Sequence, residues 1–273
     1  MNRAASIVET YGRSAAAHEK AAYFRLHRHR FRALLTAIGH EPARDILEIG
    51  ATPGQFTEIL ATAGYRVTAT DLFPEQRAAL WQRLGVAVQF CNLDEQTLPY
   101  PDSSFDVVVF SEVIEHLTAS PLHALREMAR VLRPGGRLIV STPNQHYLKS
   151  RMRTLADVLL ARPFEPFGDF QRSMRLTGAQ RYYNHSRLYT MRELCWLLEE
   201  ASLVVVRTRF DDAWERVGVD ADRIRRHPAR VVAKAALIAL GHILPGARSM
   251  LLVIGRRPGT FAAASTSTSQ GLP

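Results

Sequence analysis

The string Glu112-Val113-Ile114-Glu115-His116 puts two carboxylates and an imidazole within five residues, directly after the apolar run FDVVVFS (105–111). If this segment is helical, positions i, i+3 and i+4 share one face. Two carboxylates and an imidazole on one face can bind a divalent cation. Without a metal, His116 is the candidate general base, with Glu115 beside it. The plainer alternative leaves His116 capping a turn and Glu115 facing solvent.

A second group is Glu48-Ile49-Gly50-Ala51-Thr52-Pro53-Gly54. Gly50 and Gly54 are expected to let the backbone approach a ligand where a side chain would collide. Asp71 follows Gly50 by 21 residues, at the end of a second apolar run. A carboxylate there can accept hydrogen bonds from two ribose hydroxyls. Asn92 ends a third run, where it can meet an adenine edge. A dinucleotide site expects a third glycine, but positions 55 and 56 are Gln and Phe. A phosphate loop expects Gly-Lys-Ser/Thr, which does not follow. A zwitterionic nucleoside without a pyrophosphate fits these residues better.

The elements that must position these groups alternate. RDILEIG (44–50), RVTATD (66–71), VAVQFCN (86–92), FDVVVFS (105–111) and RLIVSTP (137–143) read as strands. QFTEILATAG (55–64), PEQRAALWQRLG (74–85) and SPLHALREMARVLRPGG (120–136) read as helices between them. This alternation predicts an α/β fold with a Rossmann-like, doubly wound parallel sheet. In such sheets, ligands bind beyond the carboxyl ends of the strands. Residues 145–184 break the rhythm and read as an insertion over that edge. A helix over 190–202 follows, with Thr190 as N-cap and Glu193 completing a capping box. LVVVRTRF (203–210) and SMLLVIGRR (249–257) are the last strands, with an apolar helix over 231–244 in the 211–248 stretch between them. Trp196 and Leu197 read as core residues.

Composition narrows the classes. The chain has 273 residues, 47% hydrophobic and 22% charged, as a globular protein has. Cys91 and Cys195 are too few for a disulfide framework or a four-cysteine zinc site. The net charge of +9 is uneven: +5 over residues 1–44, −5 over 45–140 and +9 over 141–273. An acidic centre suits a cationic ligand, and basic flanks suit an anionic partner. The N-terminus has no apolar run of the signal-peptide kind. The 231–244 stretch is shorter than the roughly 20 residues of a simple membrane span. Its collar of Arg223, Arg225, Arg226, Arg230 and Arg248 allows peripheral membrane contact through 223–248; packing on its own domain is the alternative. Residues 1–43 read as a helical lid, which lies over the ligand or merely presents a basic face, and 258–273 as a disordered tail.

ILEIGATPGQFTEIL, VTATD, CNLDEQTLPYPDSSFDVVVFSEVIEHL and REMARVLRPGGRLIVSTPN together resemble a class I S-adenosylmethionine-dependent methyltransferase. The resemblance is strong over about residues 44–144 and resumes at HSRLYTMRELCWLLEEASL (185–203). It implies a seven-stranded sheet with the last strand antiparallel, occupying 44–257. It also implies S-adenosylmethionine as cofactor. Glu48, Gly50, Ala51 and Gly54 would surround the amino-acid end, and Asp71 and Leu72 the ribose. Asn92 and Leu93 would meet the adenine, and Ser111 and Glu112 the fourth strand's end. Two positions depart from the pattern: Thr52 replaces a glycine, and Asn92 replaces an acid. The Glu-x-x-Glu-His string is similar to the metal motif of small-RNA 2′-O-methyltransferases and to ubiquinone-pathway O-methyltransferases. This implies Mg²⁺ or another divalent cation on Glu112, Glu115, His116 and His185. The layout also resembles glycan and natural-product methyltransferases. The expected activity is O-methylation of a small-molecule, sugar or lipid-linked acceptor, in the cytoplasm or at the membrane's inner face. An RNA 2′-O-methyltransferase is a weaker fit, because no RNA-binding module is present and a nucleic-acid partner is not expected. A non-catalytic scaffold of the same fold is the third reading.

Overall fold

The structure is a computed structural model that describes residues 3–14, 19–39, 44–163, 167–212, 225–226 and 228–259. Arg223 and most of the predicted 258–273 tail lie outside these residues, as do parts of the 1–43, 145–184 and 211–248 segments.

Seven strands form one sheet: β1 (Asp45–Ile49), β2 (Arg66–Asp71), β3 (Ala87–Phe90), β4 (Phe105–Ser111), β5 (Leu132–Pro143), β6 (Val204–Asp211) and β7 (Met250–Arg256). Their spatial order is β3-β2-β1-β4-β5-β7-β6. The first five are parallel, and β7 runs antiparallel to both β5 and β6. Order reverses between β1 and β4, so the strand-end crevice lies there, as expected for a doubly wound sheet.

Both faces of the sheet are covered. Side chains alternate along a strand, and β4 shows the consequence. Val108 and Phe110 join a core with Leu125, Met128, Leu194 and Leu198. These come from α5 (Leu122–Val131) and α8 (Met191–Glu200). Val107 and Val109 join a second core with Phe31, Leu34, Ile38 and Ile59. Those four come from α2 (Ala21–Ile38) and α3 (Gln55–Thr62), with α1 (Arg3–Gly12) packed outside them. Burying each such side chain contributes roughly 1.5–3 kcal/mol. Helix α4 (Ala78–Leu84) packs Leu80 and Trp81 under the first glycine turn.

Two details differ from the sequence reading. Helix α5 stops at Val131 rather than at Gly136, because Leu132 is already extended and pairs with Phe105. The capping box at Thr190 and Glu193 is present. Trp196, however, is exposed, because α8 buries Leu194, Leu197 and Leu198 and turns position 196 outward. After β5 the chain forms α6 (Leu148–Leu159) and α7 (Phe167–Ser173), and before β7 it forms α9 (Pro228–Ile243). No helix among the described residues is long and apolar enough to cross a membrane.

Candidate active site

Two adjoining cavities open at the carboxyl ends of β1, β2 and β4. The smaller, about 130 Å³, is lined by Asp71, Leu72, Asn92, Leu93, Tyr182 and Tyr183, among others. The larger, about 300 Å³, is lined by residues including Arg30, Glu48, Ala51, Gly54, Ser111 and His185. Gly50, Glu112 and His116 belong to both walls. Every cofactor residue expected from the sequence therefore lies on one of the two.

The two glycines also serve the protein's own packing. Gly50 and Gly54 have φ of +76° and +95°, which L side chains rarely adopt. A Cβ on Gly50 would lie 2.5 Å from Val113, and one on Gly54 would lie 2.3 Å from Leu80. Both glycines line the larger cavity as well. The turn is fixed from below by Asp71, whose carboxylate accepts hydrogen bonds from the Thr52 and Phe73 amides, both at 2.8 Å.

Orphaned polar atoms mark the larger cavity. Glu48 Oε2, Thr52 Oγ1 and Arg30 Nε are buried without hydrogen-bond partners. Burial pushes the Glu48 carboxyl up to about 8. A buried acid and a buried guanidinium with free valences fit the ammonium and carboxylate of an amino-acid zwitterion. The smaller cavity fits a nucleoside. Leu93 and Val113 give it apolar walls. Asn92 Oδ1 accepts the Tyr182 hydroxyl at 3.1 Å, and Tyr183 stacks on Phe73 with centroids 5.9 Å apart.

The acid–base string is not a helical face. Glu112 has φ of +56°, and only Ile114–His116 form one 3₁₀ turn. Glu112 lies outside the cluster that Glu115 forms with the two histidines. It faces Arg30 at 3.5 Å and accepts from Ser141 at 3.2 Å. The expected four-residue ligand set is corrected to three: candidate ligand atoms of Glu115, His116 and His185 lie within 4.8 Å of one another. Glu115 is fully buried; its Oε2 accepts the Thr142 hydroxyl at 2.9 Å, while Oε1 has no partner. Burial, reinforced by Glu112 nearby, raises the Glu115 carboxyl well above the usual carboxylate range. Burial also lowers both His116 and His185, with the neighbouring ring adding to the effect on His116. Both imidazoles are therefore neutral near pH 7. His116 Nδ1 lies 3.1 Å from the Asn184 carbonyl, which can only accept. A proton on Nδ1 would satisfy that carbonyl and leave the Nε2 lone pair to take another. The 185–187 segment is held in place because the Ser186 and Arg187 amides both donate to the Glu115 carbonyl.

Sequence reasoning missed several wall residues. Arg30 and His27 looked like members of a basic helix, yet both are buried, and burial pushes His27 down to about 3. The signal was present: Phe24, His27, Phe31, Leu34 and Ile38 keep a helical core spacing, and Arg30 sits beside it. Tyr182 and Tyr183 had no periodic signal at all.

A seven-stranded sheet with this order, its cavities at the switch point and a zwitterion-sized array of orphaned groups define the class I S-adenosylmethionine-dependent methyltransferase fold. The sequence agrees: residues 19–208 match the family model described as a methyltransferase domain, and the chain belongs to that family. A probable S-adenosylmethionine-dependent methyltransferase of Mycobacterium tuberculosis is 44% identical over 104 residues, covering 38% of this chain and 37% of that protein. A ubiquinone biosynthesis O-methyltransferase of Aeromonas salmonicida is 30% identical over 165 residues, covering 59% and 63%. The chain thus spans less than two thirds of the length of these relatives. Among solved structures, an S-adenosylmethionine-dependent methyltransferase of Mesorhizobium loti superposes with a TM-score of 0.54 at 19% identity, covering 84% of this chain and 97% of that one. A chain of the Haloferax volcanii complex between the Trm112 methyltransferase activator and a methyltransferase gives 0.61 at 18%, covering 91% and 97%.

Proposed function

We propose that this protein methylates a hydroxyl oxygen of a small-molecule, sugar or lipid-linked acceptor, using S-adenosylmethionine. The observation that carries this reading is a neutral His116 beside the buried Glu115 and His185, on the wall shared by the two cavities. S-adenosylmethionine supplies an electrophilic methyl group on a sulfonium. Glu48 and Arg30 hold the zwitterion end, and Asp71 and Asn92 lie along the nucleoside. An alcohol oxygen held in the larger cavity would be aligned with that methyl carbon, with the sulfur taking back the electrons of its bond to it. The hydroxyl proton passes to the His116 Nε2 lone pair. Holding oxygen and carbon in line can contribute on the order of 7–11 kcal/mol, and proton removal about 10²–10⁴-fold.

The three-residue cluster also fits a divalent cation, because Glu115 Oε1 is a buried oxygen without a partner. A cation on Glu115, His116 and His185 would polarise the acceptor hydroxyl. With Glu112 turned to Arg30, two imidazoles and one carboxylate favour manganese, iron or zinc over magnesium.

The test uses methyl-labelled S-adenosylmethionine with a panel of catechols, glycosides and polyols, with and without chelator. Label should appear as a methyl ether. His116→Ala should lower kcat by about 10²-fold or more while S-adenosylhomocysteine still binds. Label on carbon or nitrogen, or an unchanged kcat in the variant, would refute the assignment. Chelator-sensitive turnover restored by manganese or zinc would select the metal version.

A further inference from the structure

Two helices outside the active site, α6 after β5 and α9 before β7, expose apolar residues. Helix α6 buries none of its residues. Met152, Leu155 and Leu159 are 58%, 60% and 75% exposed. With Leu148 they recur at i, i+4, i+7 and i+11, which is one stripe along a helix. At 3.6 residues per turn, Lys149 and Arg151 flank that stripe on opposite sides. Arg153 sits on the far face, paired with Asp157. Helix α7 and the residue after it also expose apolar side chains, Phe167, Phe170 and Met174. Helix α9 repeats the spacing: Val232, Ala236, Ala239 and Ile243 are exposed at i, i+4, i+7 and i+11. Arg225 and Arg226 precede it, both exposed.

The roots of α6 and α9 are joined. Asn144, just past β5, is buried, and its Nδ2 donates to the carbonyls of Gly246 and Arg248 at 2.8 and 2.7 Å. Its amide donates to Ser249, and the next residue's amide donates to Tyr189. Asn144 and Gln145 therefore tie the start of α6 both to the turn that follows α9 and to Tyr189, four residues after His185.

An apolar stripe bordered by long cations is the arrangement of a helix lying in a bilayer interface. The stripe enters the acyl boundary and the Lys and Arg heads reach the phosphates. Neither helix can span, so the contact is peripheral. Charge selects the occupant. A second copy of the chain would bring the same cations against these, whereas an anionic bilayer complements them. We propose that α6, α7 and α9 form a surface that seats on an anionic phospholipid bilayer and brings the acceptor cavity to it. The inference does not depend on the acceptor chemistry, and its test measures no turnover.

The test is co-sedimentation of the full chain with large vesicles of phosphatidylcholine alone, or of an equal mixture with phosphatidylglycerol, at low and raised salt. The protein should pellet with the mixed vesicles, pellet at least tenfold less with phosphatidylcholine, and release as salt rises. Leu155→Glu/Leu159→Glu alters only exposed positions, so its thermal melt and S-adenosylhomocysteine binding should be unchanged. Its partitioning should fall at least tenfold. Equal partitioning of wild type and variant, no pelleting with mixed vesicles, or a concentration-dependent dimer that the variant abolishes without vesicle binding would each overturn the proposal.

Discussion

Glu48→Gln separates the electrostatics of the cofactor end from its shape. Burial raises the Glu48 carboxyl from the ordinary 4.5 to about 8. The native state therefore holds this proton more tightly than the unfolded chain does. Its stabilising effect is full below the ordinary carboxylate range and is lost as pH rises toward 8. Each pH unit in that window costs on the order of 1 kcal/mol, so between pH 5 and pH 7 the group removes roughly 2–3 kcal/mol. Glutamine is an uncharged isostere with no such slope. In urea titrations the variant should match wild type near pH 5 and exceed it by roughly 2–3 kcal/mol near pH 7. Ligand binding reads the same proton. The ammonium of S-adenosylhomocysteine opposite Glu48 favours the carboxylate, so binding at pH 7 should release protons. Calorimetry in phosphate and in Tris should give heats that differ by the buffers' ionisation enthalpies. In Glu48→Gln that difference should vanish, with affinity about 10–100-fold weaker for loss of a charged hydrogen bond. Parallel stability curves together with a buffer-independent wild-type heat would refute the placement of Glu48.

Two other substitutions test the walls. Tyr182→Phe removes a hydroxyl that donates to Asn92 and accepts from Arg181; at about 0.5–1.5 kcal/mol per bond, S-adenosylhomocysteine should bind roughly two- to tenfold or more weakly by calorimetry, and an unchanged Kd would mean that the ring alone forms the wall. Gly54→Ala forces a Cβ into Leu80 at a φ of +95°; left-handed strain of about 1–2 kcal/mol and overpacking of about 1–3 kcal/mol should lower the urea midpoint, and a loss under about 1 kcal/mol would show that the turn relaxes without strain.

The cofactor side of this site was legible because strand ends carry it. Glu48, Asp71, Asn92 and Ser111 each close or follow a short apolar run, and parallel pairing then brings these ends to one edge. Thr190 and Glu193 were legible for the same reason, since capping is a local geometry. The remaining walls of the cofactor cavities were not legible, because the residues that build them are far apart in the chain. Arg30 reaches Glu112 across 82 positions, and Tyr182 reaches Asn92 across 90. Helical spacing also misplaced Glu112, since nothing in Glu-x-x-Glu-His signals that its first residue adopts a positive φ. That backbone angle accompanies the turn of Glu112 toward Arg30 and outside the cluster of Glu115, His116 and His185.

The turn at Glu112 has an electrostatic consequence for methyl transfer. Transfer from a sulfonium moves one positive charge from sulfur to the acceptor oxygen and then, with the proton, to a base. A permanent cation beside that path would oppose it. Arg30 is such a cation, and Glu112, paired with it at 3.5 Å, offsets its field. Burial biases the groups beside the cavity toward their uncharged forms, raising the Glu115 carboxyl and lowering both imidazoles. In the proposed reaction His116 gains the positive charge, and Glu112, whose field favours the imidazolium, lies on the same wall. On that proposal the Glu112 beside Arg30 would also serve as counter-ion for the charge that the reaction delivers.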